Sequence, residues 1–114
     1  MKLLVLVLNR VEKLNKLLNE LAKHGLTGAT VISSNGLAHE LIKSNDESLS
    51  NIFGSLRRIL NPNERENKTI FMVVKEERVP EITEIVEQVI GSILEPDTGI
   101  IFTVPVEYLK GMKH

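Results

Sequence analysis

The segment Leu3-Leu4-Val5-Leu6-Val7-Leu8 decides the fold of this 114-residue chain. A run of aliphatic residues without polar alternation is typical of a β-strand that is covered on both faces. The segment Thr69-Ile70-Phe71-Met72-Val73-Val74 repeats the pattern in the second half of the chain. A stretch of helical periodicity follows each of these strands, which indicates two successive β-α units.

Each predicted helix carries one apolar stripe. In the first, aliphatic residues recur at helical spacing over residues 11–21, and Gly25 predicts the end of the helix. Asn9 followed by Glu12 predicts an amino-terminal capping pair. The second helix has the same kind of stripe and is predicted to end before Gly91.

Two further strands are predicted over residues 27–34 and 99–104, where β-branched and aromatic residues cluster. The element order is then β-α-β, a long connection and again β-α-β, which is typical of the α+β ferredoxin-like fold, βαββαβ. We therefore predict a four-stranded antiparallel sheet with both helices on one face. The whole chain, residues 1–114, is predicted to be one domain.

This architecture leaves one face of the sheet without helices, although the strands are apolar on both faces. Such a face would far exceed the roughly 300–600 Å² apolar patch that monomers tolerate. The same sheet of another copy is the simplest cover, so we expect a homo-oligomer. The alternative is that the long middle segment folds back over the sheet.

The middle segment, residues 35–68, is long for a connection in a compact domain, and such connections are often functional. It is predicted to be partly helical, as an insertion between strands two and three. Residues 37–42 suit a short helix, and an apolar stripe over residues 49–60 predicts a longer one. Arg57 and Arg58 lie near its end, where cations suit the helix dipole.

Composition excludes several classes of function. The formal net charge is -1, aromatic residues make up 4% and there is no cysteine. These values argue against nucleic-acid binding, disulfide scaffolds and cysteine-ligated metals. Residues 3–8 are too short to insert stably into a membrane, and no targeting segment is recognised, so we expect a cytoplasmic protein.

Catalytic patterns find little support in the sequence. The histidines are His24, His39 and His114, and no two of them have metal-ligand spacing. The chain contains neither a P-loop nor a dinucleotide fingerprint. We therefore expect that the protein is not an enzyme and that it has no metal site.

Two stretches carry a resemblance to a known family. Residues 28–31, Gly-Ala-Thr-Val, followed by Gly36, resemble the second strand and loop base of the PII nitrogen regulatory proteins. Residues 99–107, Gly-Ile-Ile-Phe-Thr-Val-Pro-Val-Glu, resemble the fourth strand of that family and its exit. The resemblance covers most of the chain except residues 37–68.

The resemblance implies a homotrimer whose sheets line the inside. It also implies that residues 35–68 are equivalent to the T-loop, the element with which the family contacts partner proteins. The regulated partner is not identified by the sequence, and a link to nitrogen regulation rests on the resemblance. Adenine nucleotides, ATP or ADP, are the candidate ligands, because the family binds them in clefts between subunits.

At the ligand positions the sequence departs from the family. Ala38 stands where the family has glycine, and His39-Glu40 where it has Arg-Gln. Ile100 replaces a lysine, so a bound phosphate loses a point charge there. The resemblance and the local chemistry together give these candidate ligand-binding residues: Gly36, His39, Glu40, Arg57, Arg58, Thr98 and Gly99.

Alternatives stay open at these positions. Arg57 and Arg58 can form an anion clamp or pair with acidic residues near their helix end. His39 can belong to a proton-sensitive switch or be an exposed loop residue. The backbone of residues 97–99 can bind an anion or form a plain turn.

Three functions follow from these alternatives. The first is a PII-like signal-transduction protein in which a small molecule changes the state of residues 35–68. The second is a structural or interaction trimer without such a ligand. The third is a metal-tolerance protein of the similarly folded CutA type.

Overall fold

The structure, a computed structural model, describes residues 1–37, 40 and 66–111. These residues form four strands and two α-helices, and a short 3₁₀ turn precedes each helix. The elements are β1 (Lys2–Leu8), α1 (Leu14–Lys23), β2 (Thr30–Ser34), β3 (Asn67–Val74), α2 (Val79–Ile90) and β4 (Gly99–Pro105).

The four strands form one antiparallel sheet in the order β2-β3-β1-β4. Leu6 of β1 lies opposite Ile70 of β3 on one side and Ile101 of β4 on the other. The two strands with continuous apolar sequence are therefore the two central ones. This is the ferredoxin-like α+β fold predicted from the sequence, with β2 and β4 at the edges.

The hydrophobic core lies between one face of the sheet and the two helices. Leu4, Leu6 and Leu8 alternate along β1 toward this core and are completely buried. They pack with alternate residues of β3 and with the apolar stripes of both helices. The helical stripes predicted from the sequence are thus the faces that cover the sheet.

The opposite face of the sheet is apolar, and no described helix covers it. Cross-strand partners share a face, so the register assigns Val5, Phe71 and Phe102 to this side. We call this side the open face. Its aliphatic and aromatic members are Leu3, Val5, Val7, Ile32, Phe71, Val73, Ile100, Phe102 and Val104. The prediction of strands that are apolar on both faces is confirmed.

The entry into α1 differs from the sequence-based expectation. Asn9 does not cap the helix with its side chain; its carbonyl instead accepts the backbone N–H of Val11 at 3.0 Å. A 3₁₀ turn over Val11–Lys13 then precedes the helix, which moves the cap position to Lys13. The predicted Asn9–Glu12 capping pair is wrong because this extra turn intervenes. The predicted ends are confirmed, since Gly25 and Gly91 follow the two helices closely.

β3 begins at Asn67, two residues before the strand that the sequence predicted. The long connection between β2 and β3 therefore spans residues 35–66. The helices predicted within it lie outside the described residues, apart from Leu37 and Glu40.

Two arginines connect the antiparallel helices, each linking the beginning of one helix to the end of the other. Arg78, which precedes α2, donates from Nη2 to the backbone carbonyl of His24 after α1, at 2.8 Å. Arg10, which precedes α1, donates from Nη1 to the backbone carbonyl of Ile90 at the end of α2, at 2.9 Å. A cation at a helix carboxyl end satisfies a free carbonyl and complements the helix dipole. Each helix end is thus capped by the residue that leads into the other helix.

Candidate functional site

The predicted ligand-binding residues within the described ranges lie along one edge of the sheet. At this edge β1 and β2 end at Leu8 and Ser34, and β3 and β4 begin at Asn67 and Gly99. We call this end of the sheet the loop edge, because the β2–β3 connection leaves the sheet there and the α2–β4 loop enters it there. Gly36 and Glu40 follow β2, and Thr98 immediately precedes β4.

The two ends of the 35–66 connection are tied together by polar side chains. The Ser34 hydroxyl donates to the side-chain carbonyl of Asn67, and it lies 2.7 Å from the Thr69 hydroxyl. Gly36 lies beside Asn67, since a β-carbon at Gly36 would be 4.0 Å from the Asn67 amide nitrogen. Glu40 donates its backbone N–H to the Gly36 carbonyl at 3.0 Å, which closes one helical turn. These contacts fix where the connection leaves the sheet.

Thr98 and Gly99 also belong to the loop edge, on the β4 side, and they are held closely against β1. The Thr98 carbonyl accepts the backbone N–H of Asn9 at 3.1 Å. Gly99 is obligatory here, because an added β-carbon would lie 2.5 Å from the backbone carbonyl oxygen of Val7. Thr98 is completely buried, and its hydroxyl finds no hydrogen-bond partner among the residues that the structure describes. A ligand can touch Thr98 only if the loop before β4 moves.

The Gly36 group and the Thr98–Gly99 group are separated across the sheet. β2 and β4 are the two edge strands, with β3 and β1 between them. Three strand spacings correspond to about 14 Å. Of the remaining predicted residues, His39, Arg57 and Arg58 lie outside the described residues. Their part in a site stays a prediction.

Arg10 and Glu95 also belong to the loop edge, and sequence analysis did not single them out. Arg10 Nη2 lies 3.3 Å from the carboxylate of Glu95, in the loop over residues 91–98 between α2 and β4. Gly91 has a positive φ of 90°, and a β-carbon there would lie 3.4 Å from Arg10 Nη1. The two hydrogen-bond partners of Arg10, Ile90 and Glu95, lie 80 and 85 residues away in the sequence, so no local spacing indicates these contacts.

A cavity of about 690 Å³ lies at the opposite end of the sheet. The α1–β2 connection and the end of β3 line it, and Lys75 and Arg78 are its charged residues. Its volume is in the range of small-molecule sites. None of the predicted ligand-binding residues that the structure describes lines it, so this cavity and the predicted site do not coincide within a single chain.

At this opposite end, charged pairs on the helices shift the pKa values of two glutamates. Arg78 Nε donates to the Glu81 carboxylate at 3.1 Å, and this hydrogen bond lowers the pKa of Glu81 below its ordinary value. The hydrogen bond from Lys23 likewise lowers the pKa of Glu20. Both carboxylates are exposed enough for solvent to screen them, so they contribute little to stability.

The described ranges, with their gaps at 38–39 and 41–65, hold no group of three or more His, Cys, Asp or Glu residues arranged around a possible metal ion. Within those same ranges, no helix combines the length and the apolar character needed to cross a membrane.

The fold and the loop edge define a class: a ferredoxin-like α+β protein with an apolar sheet face that no described helix covers and a long connection between its second and third strands. The family model of the nitrogen regulatory protein P-II matches residues 1–113. The chain therefore belongs to the nitrogen regulatory protein P-II family, as the resemblance indicated. By family it is a PII-like regulatory protein.

Solved structures agree with this fold. A functionally unknown protein from Pediococcus pentosaceus ATCC 25745 superposes with a TM-score of 0.62 at 17% sequence identity. The alignment covers 97% of this chain and 96% of the other. At this identity the similarity concerns the fold alone. No curated protein matches the sequence.

Proposed function

We propose that the protein is a cytoplasmic, homotrimeric signal-transduction protein of the PII type. It senses a small molecule, an adenine nucleotide such as ATP or ADP, at clefts between subunits. The ligand changes the state of the connection over residues 35–66, which contacts a regulated partner protein. Family membership supports a role in nitrogen regulation.

One observation carries the proposal: the long connection and the Thr98–Gly99 loop leave the same edge of the sheet. Ser34 and Asn67 fix the two ends of the connection there, and Asn9 ties the second loop to β1. A ligand that reorders the Thr98–Gly99 loop therefore acts on the edge from which the partner-binding segment emerges. Such a ligand shifts the equilibrium only by its difference in affinity for the two states.

The open face supports the oligomer. Phe102 and Ile100 are apolar and exposed in a single chain, and they lie beside the apolar residues of β1. Covering this surface with copies of itself removes it from water and gives clefts between subunits.

Thermal unfolding in the presence of ATP, ADP and AMP tests the ligand, each with and without magnesium and 2-oxoglutarate. A ligand at about 100 times its Kd adds about 2.7 kcal/mol, which raises the Tm of a domain this size by several degrees. A shift with an adenine nucleotide supports the sensor. Absence of any shift refutes the nucleotide part of the proposal.

The second candidate is an interaction trimer without a nucleotide. Two observations favour it: Thr98 is completely buried, and Ile100 stands where the family has a lysine. In that case the wild-type protein is trimeric, none of the nucleotides changes its Tm, and proteolysis of the 35–66 connection is unaffected by nucleotide.

A further inference from the structure

The cavity of about 690 Å³ at the end of the sheet opposite the loop edge has no part in the proposed nucleotide function. It lies between the α1–β2 connection, residues 25–29, and the end of β3 with the residues that follow it. Its volume is within the usual range of small-molecule sites, roughly 300–1,000 Å³. The residues that line it define the chemistry of a ligand that would fit.

The charged side chains that line the cavity are both cations. They are Lys75 and Arg78, and none of the described lining residues is acidic. Glu76 and Glu77 follow Lys75 in the sequence but do not line the cavity. An anionic group placed here therefore meets positive charge, in a protein whose formal net charge is -1.

Both cations keep hydrogen-bond donors that no described residue takes up. Arg78 uses Nε for Glu81 and Nη2 for Glu81 and the His24 carbonyl, which leaves Nη1 without a partner in the described part of the chain. Lys75 is exposed and forms no ion pair with any residue that the structure describes. The Arg78 guanidinium is thus held in place by two partners and still offers N–H groups to an anion.

Another part of the lining is an apolar wall. Met72 belongs to the hydrophobic core, and Leu26 and Ala29 pack against that core. Met72 and its cross-strand partner Leu4 lie on the helix side of the sheet, so this wall is separate from the open face. An aliphatic group that covers the wall is removed from water, which favours binding. The cavity therefore suits a ligand that has an apolar body as well as a charged head.

We propose that this cavity binds a hydrophobic monocarboxylate, with its carboxylate at Lys75 and Arg78 and its aliphatic body on the apolar wall. Glu81 already balances the charge of Arg78, so the remaining positive charge matches one carboxylate. The site is separate from the loop edge, and the inference does not depend on nucleotide binding. A neutral molecule of the same shape lacks the attraction to the cations, and a short carboxylate lacks the apolar contact.

An NMR chemical-shift titration of the full chain with hexanoate tests the inference, with hexanol and acetate as the two partial ligands. We expect hexanoate to produce saturable shifts of the backbone amides of residues 25–29 and 72–75, which surround the cavity. Hexanol and acetate should each bind at least about fivefold more weakly, because each retains only one part of the recognition.

Matched variants separate the cations of the cavity from cations elsewhere. Lys75→Gln and Arg78→Gln should each weaken hexanoate about three- to tenfold, because each removes a charge-assisted contact. Lys16→Gln is the control for the first, since Lys16 is an exposed lysine of α1 that does not line the cavity. Arg10→Gln is the control for the second, since Arg10 caps the end of the other helix and pairs with a glutamate in the same way. Both controls should bind hexanoate like the wild type.

The inference is overturned if hexanoate produces no saturable shift of the cavity amides, if hexanol binds as tightly as hexanoate, or if Lys75→Gln leaves the affinity unchanged. Lys75 is exposed, so its variant should fold even if Arg78→Gln does not. A parallel titration with ATP keeps the two proposals distinguishable. Binding of hexanoate without ATP supports the cavity site and refutes the nucleotide function, and binding of ATP without hexanoate overturns the cavity site alone.

Discussion

Placing a negative charge on the open face should dissociate the proposed trimer into monomers. Phe102 lies on this face, opposite Val5 of the central strand β1, and is 45% exposed in a single chain. The substitution Phe102→Glu removes the apolar ring and adds a carboxylate at the surface that the trimer would bury. Because the ring is half-exposed already, the variant chain should still fold.

The magnitude follows from the exposed area. A phenylalanine side chain has roughly 150–250 Å² to bury, so 45% corresponds to about 70–110 Å² per subunit. At about 25 cal/mol per Å² this is about 2–3 kcal/mol per subunit, or about 5–8 kcal/mol for a trimer. The association constant should then fall by about 10⁴-fold or more, before the cost of burying the charge is included.

Sedimentation velocity of the wild type and the variant measures this effect. Thr103→Glu is the matched control, since Thr103 is the next residue of β4, is exposed and lies on the opposite face. We expect a trimer for the wild type and for Thr103→Glu, and a folded monomer for Phe102→Glu by circular dichroism. A monomeric wild type, or a Phe102→Glu variant that keeps the wild-type mass, would refute the reasoning.

Three further outcomes are expected. Gly99→Ala should lower stability by about 1–3 kcal/mol in denaturant unfolding, because the new β-carbon meets the Val7 carbonyl; an unchanged midpoint contradicts the close approach. Leu6→Ala should cost about 2–5 kcal/mol, because Leu6 is completely buried in the core. The lowered pKa of Glu81 gives a small stabilisation that is present above the ordinary pKa of a glutamate and is lost as the pH falls through the folded value, so Arg78→Gln should slightly flatten this part of the acid unfolding profile.

The sequence predicts the fold because each element has its own periodic pattern. The aliphatic run at residues 3–8 identifies a central strand without reference to any other residue. The failure at Asn9 has a physical cause that the neighbouring sequence does not show, since its backbone bonds Thr98 as well as Val11 and a 3₁₀ turn delays the helix. A capping pattern alone does not reveal a competing long-range hydrogen bond.

The candidate site was less predictable than the fold because its contacts are distant in the sequence. Gly36 and Thr98 were found through the resemblance to a family, and the structure adds that they lie at opposite ends of one edge. The burial of Thr98 depends on the packing of a whole loop and has no local signal. Arg10 reads as an ordinary surface cation until the fold brings it to Ile90 and Glu95.

The repeated β-α-β design of the chain uses one kind of contact twice. Both halves use the same device, in which an arginine before one helix caps the end of the other and pairs with an exposed glutamate. At the Arg78 end the glutamate, Glu81, lies three residues later in the helix that Arg78 precedes, so the pair is local to that helix. At the Arg10 end the glutamate, Glu95, belongs to the loop that leads to β4, so breaking the pair removes a contact between this loop and the start of α1. A contact that is weak, exposed and shared between two elements can break without unfolding either one.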